Sequence, residues 1–147
     1  MEDRFRFRAW NKRENKMIYN AEDVYDGSLS GWCGNENNNN DGWISCFGEY
    51  LGRDDEYVVM QSTGLKDKNG KLIYEGDIVK VAGKQTDETI GVVQWLDDFG
   101  KFVLNINDRR KGEYKDCDTL CEFEYLPIDE RNIIGNIYEN KELLEGK

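Results

Sequence analysis

Cys33, Cys46, Cys117 and Cys121 are the strongest potential metal ligands in this chain. Cys117 and Cys121 form a C-x3-C arrangement that zinc tolerates, but Cys33 and Cys46 have twelve residues between them and lack the short knuckle spacing of a structural zinc site. There is no histidine, so a zinc site would need all four thiolates. The expectation is ordinary reduced cysteines in a cytoplasmic protein, with no cofactor. The missing histidine also removes the usual neutral-pH general base and the triads built on it. Adjacent carboxylates, Asp54-Asp55 and Asp97-Asp98, could form an acid/base pair or hold magnesium, although paired acids in a turn read first as solvated surface. The glycines occupy turn positions without the strand–glycine–helix context of a phosphate loop. No enzyme is expected; substrate-assisted or metal-dependent carboxylate chemistry, which needs no histidine, is the catalytic reading left.

Charge narrows the partners. A formal net charge of −10 repels phosphate backbones. It serves solubility, or presents an acidic surface to a basic partner. The one concentrated basic patch is Arg4, Arg6 and Arg8, which alternate with Phe5, Phe7 and Ala9 as the two faces of a strand. A solvated or salt-bridged strand face is the plain reading of these arginines, and nucleic-acid contact is the sharper one.

The elements that must position these groups are mostly strands. Arg4 to Trp10, a polar turn over Asn11 to Lys16, and Met17-Ile18-Tyr19 read as a strand-turn-strand unit. Gly27 to Gly42 is rich in Gly, Ser and Asn and reads as a long loop flanked by Trp32 and Trp43. Those tryptophans anchor the loop base or meet a partner. From Tyr57 onward, short strands alternate with polar turns: Tyr57–Met60, Leu72–Tyr74, Ile78–Val81, Ile90–Trp95, Phe102–Ile106, Leu120–Tyr125 and Asn132–Tyr138. Loops are expected at Gly83–Glu88 and Asp97–Gly100, and Asn140 is expected to cap a short helix that carries Leu143 and Leu144. With 147 residues, the chain divides into residues 1–56 (N-terminal strands and Asn-rich loop) and residues 57–147 (barrel with tail), folding as one unit. The charged N-terminus does not read as a signal peptide, and no apolar run reaches a membrane span.

The densest local signal is Met60 to Val81. Asn69-Gly70 predicts a type I′ hairpin turn, in which both central residues take positive φ. Asp67 is suited to accept backbone N–H bonds at that turn, and Gly76-Asp77 to bend the chain into the next strand. Asp67, Asn69, Gly70, Gly76 and Asp77 are therefore read as structural.

The segments Thr63–Gly70 and Ile73–Val79, with Phe7-Arg8-Ala9-Trp10 before them and Ile134–Asn140 after, resemble the YopX-like phage proteins. The resemblance covers most of the chain and is weakest over Glu22–Leu51 and Asp108–Asp118. It implies a phage or prophage origin, a mainly β fold with an SH3-like small barrel, and homo-oligomers; the N-terminal strand-turn-strand extension and the short C-terminal helix are read from the residues themselves. It implies no established activity. This sequence has Asn11 where the family often has Asp, and Lys141 where it often has Pro.

The resulting expectation is a non-enzymatic accessory protein in the cytoplasm of a bacterial host, self-assembling or meeting a host or phage protein. Trp32, Trp43, Leu143 and Leu144 are the candidate contacts. Nucleic-acid binding through the arginines, or an acidic DNA mimic, is the alternative; no membrane partner is expected.

Overall fold

The structure, a computed structural model, describes residues 3–23, 50–81, 89–106, 120–122 and 128–145. Its elements are mainly antiparallel strands in two sheets. The chain forms two compact units, Arg6–Gln61 and Met1–Phe5 with Ser62–Lys147, so the divide falls within a single strand.

In the Arg6–Gln61 unit, β1 (Phe7–Asn11) pairs with β2 (Lys16–Tyr19), and on its other side with the first half of β3 (Tyr57–Lys66). β1 is thus a central strand, and Arg8, Ala9, Trp10 and Asn11 are all buried. Alternation would leave every second residue in solvent only if one face of the sheet stayed open. The strand also starts later than the sequence pattern suggests, because Asp3–Phe5 forms a 3-10 turn. Asn11 Oδ1 accepts the amides of Arg13 and Glu14, each at 2.9 Å, and closes the β1–β2 loop. Aspartate at this position would offer the same acceptor.

The other unit carries the small barrel. Its five-stranded sheet runs β8-β7-β6-β5-β9, with β5 (Asp77–Val81), β6 (Thr89–Leu96), β7 (Lys101–Asn105), β8 (Leu120–Glu122) and β9 (Arg131–Asn136). β4 (Leu72–Tyr74) pairs with the second half of β3. The core is Ile73, Val79, Val81, Val93 and Leu104, with Leu65, Phe102, Ile106 and Ile133 packed against it. Each fully buried side chain of this kind contributes about 2 kcal/mol by leaving water. β6 crosses β7 closely at Gly91, where a Cβ would lie 2.6 Å from Leu104 Cγ and 2.9 Å from the Asn105 carbonyl oxygen. The mainly β, small-barrel expectation is what the structure shows.

Two local expectations are revised. The Asn69-Gly70 turn is not type I′, because Gly70 takes a positive φ of 79° while Asn69 does not. The Gly70 amide donates to the Asp67 carbonyl, and the Asp67 amide to the Lys71 carbonyl, each at 2.9 Å. That is a three-residue loop closed by a left-handed glycine. The C-terminal helix is a single 3-10 turn, Lys141–Leu143, and Asn140 makes no side-chain cap to it. The Asn140 side chain is engaged elsewhere: its Oδ1 accepts the Asn136 amide at 3.2 Å.

Candidate functional site

Asp67 is 2 % exposed and lies at the start of the β3–β4 loop. Its Oδ1 accepts the amides of Asn69 and Lys71, each at 2.9 Å. Its Oδ2 accepts the Ile133 amide at 3.3 Å and the Asn69 side-chain amide, also at 3.3 Å. Asn69 Nδ2 further reaches Asn132 Oδ1 at 3.2 Å, and the Lys68 amide donates to the Arg131 carbonyl at 3.0 Å. The loop is thereby tied to β9 at three successive residues. Burial pushes the Asp67 carboxyl up, but the amides of Lys71, Asn69 and Ile133 with the Asn69 side chain outweigh it. The group is held below its ordinary 3.8. Such a carboxylate is a poor general base and a good structural acceptor.

Asp77, 1 % exposed, plays a similar part at the next bend, accepting the Tyr74 amide on Oδ2 at 2.9 Å. Between them Gly76 takes φ +80°, a conformation that costs a non-glycine residue. Its amide donates to the Val93 carbonyl at 2.8 Å, and its carbonyl accepts the Ile137 amide at 2.9 Å. Gly76 thus joins β6 to the segment after β9.

That segment is a compact asparagine motif. Asn136 Oδ1 accepts the amides of Tyr138 and Glu139 at 3.0 Å and 2.9 Å, and the Asn140 amide donates to the Asn136 carbonyl at 2.9 Å. Gly135 makes room for it, since a Cβ there would meet Asn140 Oδ1 at 2.5 Å. Leu143 is 38 % exposed and Leu144 half-buried just beyond.

The three arginines do not share an open face. Arg4 lies in the 3-10 turn with its guanidinium 4.7 Å from the Phe5 ring. Arg6 pairs with Glu22 at 2.9 Å, and Arg8 is 1 % exposed. Glu22 also accepts the Phe7 amide on its second oxygen at 2.8 Å and so fixes the start of β1. No sequence motif marks Glu22 for this role. Gly64, with φ +78°, admits Arg4, whose Cβ lies 3.0 Å from where a Gly64 Cβ would stand. Trp32, Trp43, Cys33, Cys46 and Cys117 lie outside the described residues. Cys121 is in β8, and the expected loop at Gly83–Glu88 also falls outside the described residues.

The outward-facing chemistry lies instead on the β6–β7 hairpin. Trp95 and Phe102 are cross-strand partners with ring centroids 4.9 Å apart and planes at 66°, an edge-to-face pair. Phe102 reaches the core, Trp95 is 41 % exposed, and Phe99, in the loop, is 71 % exposed. Asp97 and Asp98 are exposed beside it, and Lys101 Nζ lies 5.9 Å from the Phe99 ring centre. The amides of Phe99 and Gly100 donate to the Leu96 carbonyl at 3.2 Å and 2.8 Å, and Gly100 turns the chain with φ +59°. The sequence assigns these residues to a strand and a turn. The overlooked signal is a phenylalanine in an Asp-Asp-Phe-Gly loop, where a polar residue is the usual choice.

Among the described residues no helix is long and apolar enough to cross a membrane. The sequence model described as "YopX protein" matches residues 6–145. The crystal structure of protein EF1440 from Enterococcus faecalis is similar at 27 % identity and a TM-score of 0.52, covering 95 % of this chain and 96 % of its own. The crystal structure of protein YopX from Bacillus subtilis aligns at 18 % identity and a TM-score of 0.53, covering 97 % of both chains. No curated protein matches.

Proposed function

We propose that this chain, which belongs to the YopX protein family, is an accessory protein of phage or prophage origin that acts by contacting other proteins and catalyses no reaction. One contrast carries this reading. The buried carboxylates Asp67 and Asp77 are directed at backbone amides, whereas large apolar side chains stand outward on the β6–β7 hairpin. Exposed aromatic clusters on small barrels suit contact with a macromolecule better than turnover of a small one. The pairing of Arg6 with Glu22 and the burial of Arg8 favour protein partners over nucleic acid held by Arg4, Arg6 and Arg8. A surface that imitates DNA toward a host protein is a form of the same reading, and the net charge of −10 is compatible with it. Further copies of the chain, meeting through Leu143 and Leu144, belong to the proposal too, as does a place in the host cytoplasm.

The test is affinity capture of the full chain from bacterial host lysate, with and without nuclease, read by mass spectrometry. The reading expects a stoichiometric, nuclease-resistant host or phage protein. Recovery that vanishes with nuclease would transfer the function to nucleic acid.

A further inference from the structure

The β6–β7 hairpin combines three features in one place. Trp95 and Phe99 present aromatic surface to solvent, 41 % and 71 % exposed. Asp97 and Asp98 add two exposed carboxylates between them in sequence. Lys101 holds its ammonium 5.9 Å from the Phe99 ring centre, so the ring face already receives a cation from within the chain. Exposed aromatic rings and carboxylates in one turn are complementary to guanidinium groups, which stack on rings and bond carboxylates with the same planar fork. The turn is also tied down, because the Leu96 carbonyl accepts the Phe99 and Gly100 amides, and Phe102, which packs against the core, holds Trp95 in an edge-to-face pair.

We propose that the β6–β7 hairpin, through Trp95, Phe99, Asp97 and Asp98, is a docking site for an arginine-bearing basic segment of a partner protein. Charge selects this occupant over a second copy of the chain. Two copies meeting hairpin to hairpin would bring four aspartates together in a chain of net charge −10. An incoming guanidinium displaces Lys101 from Phe99 or shares the ring with it, and its second contact is a carboxylate. The inference rests on the protein-contact reading above and names the partner chemistry of one surface.

The experiment is a titration of the full-length, 15N-labelled protein with an acetylated, amidated pentapeptide carrying two arginines. The same peptide with glutamates is the control. Trp95 Nε1–H, identified by Trp95→Phe, and the Phe99 and Gly100 amides should shift saturably with the arginine peptide alone. Phe99→Ala should weaken binding at least about fivefold, and Asp97→Asn with Asp98→Asn should remove most of its salt dependence. These positions are exposed, so unchanged Val93 and Leu104 methyl signals would show that the fold persists. Equal shifts with the glutamate peptide, shifts that follow protein concentration alone, or equal shifts with an oligonucleotide would each overturn the inference. So would no shift at all; the wider reading fails separately, in the capture experiment.

Discussion

Asp67 Oδ2 accepts the backbone amide of Ile133 at 3.3 Å, joining positions 66 residues apart in the chain. The same carboxylate organises its own loop through Asn69 and Lys71. One side chain therefore fixes a local turn and its attachment to β9, and this dual role accounts for an acidic residue at a buried position.

Removing that carboxylate should be costly. Hydrogen bonds to charged groups contribute about 1.5–3 kcal/mol each, and stranded amides add their own penalty. Asp67→Ala is expected to destabilise by about 3 kcal/mol or more, and Asp67→Asn by roughly 1–2 kcal/mol because one acceptor oxygen survives. Urea unfolding of the three proteins measures both.

The same group sets an acid limit. Its folded pKa lies below the unfolded value of 3.8, so its stabilisation is complete above that value. It is lost as the pH falls from 3.8 through the folded value. The stability difference between wild type and Asp67→Asn should accordingly be constant at neutral pH and shrink on acidification below that point. A difference that stayed level down to strongly acidic pH would contradict the assignment.

Two glycines are required by close approach. Gly135→Ala would drive a methyl to 2.5 Å from Asn140 Oδ1, and Gly91→Ala to 2.6 Å from Leu104 Cγ. Each should cost about 1–3 kcal/mol by overpacking. In Gly135→Ala the amide protons of Tyr138 and Glu139 should also exchange faster, which hydrogen exchange reads directly.

Glu22→Ala should release both Arg6 and the Phe7 amide and destabilise by about 2 kcal/mol. Phe7 amide protection should fall first, ahead of the barrel strands.

Deleting residues 142–147 should lower the native mass without moving the barrel's unfolding midpoint by more than a degree or two. Leu143 is 38 % exposed and none of the core residues lies in this tail. Native mass spectrometry and thermal unfolding distinguish assembly from folding.

The strands of the barrel were legible because their apolar runs are short and separated by polar turns; alternation carries through to burial over residues 90–94, but not in Phe102–Ile106, where Val103 and Leu104 are both buried. β1 and its pairing with β2 were legible too, but not the burial of β1, since a central strand buries both Arg8 and Ala9, and alternation then says little about exposure. The turn type was missed because Asp67 favours the wider loop by capping Asn69 and Lys71, an interaction that a two-residue motif does not encode. Asn140 reads as a helix cap by type, yet its partner is the Asn136 amide four residues back. The aromatic hairpin was hidden for a different reason: Trp95 and Phe102 carry a core-like pattern, yet Phe102 packs against the core while Trp95, next to the Asp97–Gly100 turn, stays exposed.

The buried carboxylates Asp67 and Asp77 hold backbone amides, whereas the proposed contact lies on the exposed β6–β7 hairpin. Unfolding midpoint and arginine-peptide affinity, measured side by side for Asp67→Asn and Phe99→Ala, separate the two roles. Asp67→Asn should lower the midpoint and keep the affinity, while Phe99→Ala should keep the midpoint and weaken the affinity at least about fivefold. Affinity lost in Asp67→Asn at a temperature where it remains folded, with Phe99→Ala binding normally, would contradict it.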